Sequence, residues 1–88
     1  MNISTLEQYV AQKNRRNKIF GGKELSLLNA KDRQTIANSI DSDMSPENLT
    51  CDGELPRAEV SRRVKMLSRC AEELLSIDPT VSFYEMGV

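Results

Sequence analysis

The sequence predicts an all-α protein, a small bundle of three main helices with a short extra helical turn and an irregular C-terminal tail. Three observations carry that reading. Along the longest apolar stretch, hydrophobic residues recur at steps of three and four rather than two. Helix-start patterns precede the apolar stretches, at Ser4-Thr5-Leu6-Glu7, at Asn29 or Ser26, and at Ser45-Pro46. The breakers Gly21-Gly22, Asp52-Gly53, Pro56 and Asp78-Pro79 fall between these stretches and not inside them.

The first helix opens on a capping box, in which Ser4 and Glu7 each satisfy an orphan amide near the other. Leu6, Tyr9, Val10 and the stem of Lys13 then share one face, and the helix is expected to run from about Thr5 to Lys18 and stop at Gly21-Gly22. Arg15, Arg16 and Lys18 stand in its last turn, where cations suit the helix dipole. The second helix places Ala30, Ile36, Ala37 and Ile40 on one side, with Asp32 near its positive end. Leu25, Leu27 and Leu28, just upstream, are expected in the core.

Ser45 followed by Pro46 reads as a cap and first position, with Leu49 as the apolar foot of a single helical turn. Asp52-Gly53 then marks a tight turn, and Pro56 suits the start of the next helix. That helix, from about Pro56 to Ile77, gives the strongest pattern in the chain. Val60, Val64, Leu67, Ala71 and Leu74 form one row, and Met66, Cys70 and Ile77 widen it to one side. Three helices are too few to cover both flanks of so broad a stripe, so Met66, Cys70, Leu75 or Ile77 is expected to face a second chain. The tail after Asp78-Pro79 alternates loosely in apolarity, and is expected either to form a short extended arm or to pack as irregular chain.

The chain's 88 residues suit a single domain, residues 1–88, with a core small enough to gain from a partner. Twelve basic and thirteen acidic residues nearly cancel, but unevenly. Residues 1–23 carry five cations against Glu7 alone, and residues 24–56 carry two against seven acids. No apolar run approaches a membrane span and no secretory h-region opens the sequence, so the expected location is the cytoplasm, with Cys51 and Cys70 reduced.

The chemistry-bearing residues are few. Histidine, the usual acid–base and cysteine-activating group near neutral pH, does not occur, and no glycine-rich phosphate loop is present. The expectation is a non-enzymatic protein with no cofactor. Asp41, Asp43, Ser45, Glu47 and Asp52 echo a calcium loop, but Pro46 stands where the turn needs glycine and Asp52 where a bidentate glutamate should close it. A solvated acidic loop is the expected reading. A basic cluster at residues 13–18, with Lys13, Arg15, Arg16 and Lys18 interleaved by two asparagines, could grip phosphates and touch bases. Against it, the helices over residues 30–77 lack the short turn of a helix-turn-helix. The other candidate surface is a charged knob around the 52–57 corner and the following helix. There Asp52, Glu54, Arg57, Arg62, Met66 and Arg69 would meet a protein partner, with the acids also near enough to pair with Arg57, Arg62 or Arg63.

Residues 45–78, "SPENLTCDGELPRAEVSRRVKMLSRCAEELLSID", resemble small uncharacterised proteins of tailed bacteriophages and prophages. In those, a Pro-Glu-Asn-Leu turn and an Asp-Gly-Glu corner precede a long helix with Arg and Leu at helical spacing. The resemblance implies a viral accessory product acting in the bacterial host cytoplasm, and it transfers no functional residue. The combined expectation is a regulatory protein, inhibitory toward a host protein, that binds through a helical surface and forms a dimer. The alternative is a nucleic-acid-associated protein using residues 13–18.

Overall fold

The structure, a computed structural model, describes residues 4–17 and 24–84. Among them are four α-helices, α1 (Thr5–Asn17), α2 (Ala30–Asp43), α3 (Pro46–Thr50) and α4 (Arg57–Ile77), with a 3-10 turn at Leu25–Leu27. The fold is the expected all-α bundle, and one cluster of buried side chains joins α1, α2, α4 and the tail. The Gly21-Gly22 stop, Lys18, and the end of the tail from Glu85 lie outside the described residues.

α1 is fixed at its start from two directions. The Ser4 hydroxyl accepts from the Glu7 amide at 3.0 Å, which is the near half of the capping box. The Glu73 carboxylate, far along α4, accepts from the Thr5 amide at 3.2 Å and the Leu6 amide at 2.9 Å. An anion beside the positive end of a helix and bonded to its orphan amides is favourable on both counts. Cys70 adds a weaker contact, its thiol donating to the Thr5 carbonyl at 3.5 Å. The start of α1 therefore sits at the C-terminal end of α4, and the two helices run antiparallel.

α2 begins as its sequence suggests, with the Asn29 side chain accepting from the Asp32 amide at 2.9 Å. Ile36, Ala37 and Ile40 are wholly buried. Of the three leucines before it, Leu28 is buried and Leu25 partly so. Leu27 is 74% exposed, because the 3-10 turn points it away from the core.

α3 starts with Pro46 in its first turn and ends at Cys51, which adopts the left-handed conformation (φ 48°, ψ 55°). Asp52 (φ 57°) and Gly53 (φ 87°) keep positive φ, so three successive residues turn the chain toward α4. Thr50 organises this corner, since its hydroxyl donates to the Pro46 carbonyl at 2.7 Å and accepts from the Gly53 amide at 3.1 Å. Pro56 caps α4 instead of opening it.

The stripe along α4 is covered more fully than the sequence suggested. Leu67, Cys70, Ala71 and Leu74 are buried, Val60, Val64 and Leu75 half-buried. Cys70 does not face a second chain, because α1 lies over it. The extra cover on the core comes from the tail, which packs, as one of the two expectations for it had it. Val81 and Phe83 enter the core while Ser82 and Tyr84 stay out, the alternation of an extended segment. The Gln34 side-chain amide pairs with Ser82 in both directions, donating to its carbonyl at 3.1 Å and accepting from its amide at 3.0 Å. Asp41 accepts from the Tyr84 amide at 2.9 Å. Asp78, the buried acid at the start of the tail, accepts from the Thr80 amide and hydroxyl at 3.0 and 2.5 Å and pairs with Arg33 at 3.4 Å. What stays exposed of the stripe is Met66 on one edge (36%) and Ile77 at the end (48%).

Candidate functional site

Met66 is where the residues singled out in the sequence begin to converge. On α4, Arg62 and Arg69 lie four residues before and three after it, so all three share one exposed face. Arg57, nine residues before Met66, falls on the opposite side of the helix and does not join them. The antiparallel packing brings the second half of α1 alongside. Glu7, Gln8, Gln12 and Arg15 border a hollow with Met66, and Gln12 and Arg16 border a larger cleft of about 660 Å³ on its other side.

That cleft has walls of opposite sign. Arg16 and Arg63 stand on the α1 and α4 side, whereas Glu47, Asp52 and Glu54 line the α3 and corner side. Met66 and Leu67 supply its apolar part. Asp52 and Glu54 are exposed and make no ion pair among the described residues, contrary to the expected pairing with Arg57, Arg62 or Arg63. The reason is local. Arg62 pairs with Glu59 one turn before it on α4. Arg63 instead turns to the end of α3, donating to the Asn48 carbonyl at 3.2 Å and lying 3.9 Å from the Cys51 sulfur. The corner is thus locked by backbone turns and by Arg63, and its two acids remain free at the cleft mouth.

The basic cluster is divided by the fold. Lys13 donates to Asp43 at 2.8 Å and lies over the Tyr9 ring. Asp43 also accepts from the Tyr9 hydroxyl at 2.8 Å, and Ser39 bonds the same hydroxyl at 3.1 Å. Burial, with the Asp43 carboxylate adding to it, pushes the Tyr9 phenol far above its ordinary range, so this group stays protonated. Lys13 is therefore held inside a structural network between α1 and α2. Arg15 and Arg16 are exposed, Arg15 at the Met66 hollow and Arg16 in the cleft that Arg63 also lines, and Lys18 lies outside the described residues.

Sequence reasoning missed Gln12, Arg16 and Arg63 as neighbours of Met66, because no single segment holds them. A usable signal was present: the last turn of α1 and the first half of α4 are both basic, and antiparallel neighbours place those ends together. Among the described residues, no three acids or thiols come together to hold a metal ion, and no helix is long and apolar enough to cross a membrane. Comparisons with protein-family models, curated proteins and solved structures find no match to this chain.

Proposed function

We propose that this chain is a small non-enzymatic binding protein whose α1–α4 face engages an acidic segment of another protein. The observation that carries the reading is an exposed methionine with arginines beside it on two helices. Met66 has Arg62 and Arg69 on its own helix and Arg15 across the hollow. Methionine and arginine are the residue types that protein interfaces favour over other surface, with an apolar centre inside a polar rim. Charge selects the partner. On the Arg15 side of Met66, away from the acidic wall, an acidic partner is drawn to the face and held in register.

The resemblance of residues 45–78 to tailed-phage proteins supports placing that partner in a bacterial host, with inhibition or redirection of a host protein as the outcome. The nucleic-acid reading is weaker on geometry. Lys13 is committed to Asp43, so the fold withdraws one of the four cations on which that reading relied.

The test is a paired capture from bacterial lysate with the wild type and with an Arg62→Ala/Met66→Asp/Arg69→Ala variant, both checked by thermal melting. Loss of the captured protein at unchanged melting temperature supports the reading. Equal capture by both refutes it. So does tight binding to random duplex DNA that weakens steeply with salt and is lost in Arg15→Gln/Arg16→Gln, since that assigns the face to nucleic acid.

A further inference from the structure

A second surface, which meets the Met66 hollow at Glu7 and Ala11, has the opposite chemistry. Between the start of α1, the 3-10 turn and the end of α4 lies a groove of about 670 Å³ with Leu6, Leu25 and Ile77 on its floor. It continues past Leu25 and Ser26 into a neighbouring hollow of about 390 Å³ beside Val10 and Ala11. Glu7, Glu24 and Glu72 stand around this depression, all exposed and none in an ion pair among the described residues. Glu73 also borders it, but both its oxygens already serve the α1 amides. No described lysine or arginine lines either part. On the same 3-10 turn, Leu27 is 74% exposed, and Ile77 at the other edge is 48% exposed.

We infer that this groove is a docking site for a cationic amphipathic helix of a partner protein, with apolar side chains on Leu25 and Ile77 and lysines or arginines on Glu7, Glu24 and Glu72. An apolar floor of this kind takes the greasy face of a helix. The acids decide which helix, because an acidic one meets uncompensated repulsion at three points of the rim and a basic one is attracted at the same three. With the Met66 face taking an acidic partner, the two surfaces make the chain a bridge between partners of opposite charge. The groove itself does not depend on that first assignment.

The probe is a short helical peptide with leucines on one face and lysines on the other, compared with its leucine–glutamate counterpart. Binding is followed by methyl chemical shifts of the full chain. The expected result is that the lysine peptide moves the Leu25, Leu27 and Ile77 methyls and leaves Met66 still. Affinity should fall about tenfold in Glu7→Gln/Glu72→Gln, and also in Ile77→Ser, which covers the case in which the double variant folds poorly. Met66→Asp, which breaks the other face, should bind the peptide as the wild type does, so the two assignments fail separately. Equal affinity for the two peptides, shifts centred on Met66, or full affinity in both groove variants overturns the inference. Self-association of the wild type that the glutamine pair abolishes overturns it too, because the occupant is then a second copy.

Discussion

Replacing Glu73 with glutamine leaves the packing of α4 almost unchanged but removes a charge and one of the two acceptor oxygens at the start of α1. The amide nitrogen that takes the place of that oxygen then faces a backbone N–H, donor against donor. One charge-assisted hydrogen bond is lost, about 1.5–3 kcal/mol, together with about 0.3–1 kcal/mol of interaction between the carboxylate and the helix dipole. Glu73 is half-exposed, so water returns part of this, and the expected loss is about 2 kcal/mol. For a domain of this size that lowers Tm by roughly 8–16 °C. Urea and thermal unfolding followed by circular dichroism measure it, with Glu72→Gln as the control. Glu72 is the adjacent residue on α4, has the same chemistry and is exposed. A Glu73→Gln variant within about 0.5 kcal/mol of the control, the scatter expected of plain surface changes, would refute the claim that this carboxylate ties α1 to α4.

The two thiols should separate cleanly. Cys70 is wholly buried, and burial with the charge of Glu73 pushes its thiol up to about 12, so a thiol reagent at neutral pH should label only the exposed Cys51 until denaturant is added. Asp78 gives the acid response. The Thr80 hydroxyl and amide, and then Arg33, hold its carboxyl below the usual aspartate range, so its contribution is complete above about pH 4 and is lost as pH falls through the depressed value. Urea midpoints should therefore fall below about pH 4 in the wild type and change less steeply in Asp78→Asn. At the corner, Cys51 holds a left-handed conformation that costs a side-chain-bearing residue about 1 kcal/mol, so Cys51→Gly should stabilise slightly or leave the urea midpoint unchanged. A marked loss would show that the side chain contributes more than the backbone strain costs.

The elements of this protein were legible in its sequence because their signals are local. The Ser4 and Asn29 caps, Pro46 in its first turn, the breaks at Asp52-Gly53 and Asp78, and the three-and-four spacing from Val60 to Leu74 each act within a turn or two of chain. The alternation of Val81 and Phe83 with Ser82 and Tyr84 was equally visible, and only the surface it would meet was not. Tertiary structure decided what joins residues far apart in sequence. Glu73 capping α1, Gln34 pairing with Ser82, Lys13 withdrawn to Asp43 and Arg63 turned to the end of α3 all depend on which helices become neighbours and in which direction. The same packing gathered Met66 and the arginines on one face and left acids around the groove beside Ile77. Periodicity reports which side of a helix is apolar, but how much of that side stays open depends on every element laid against it. Here α1 and α2 together closed most of it.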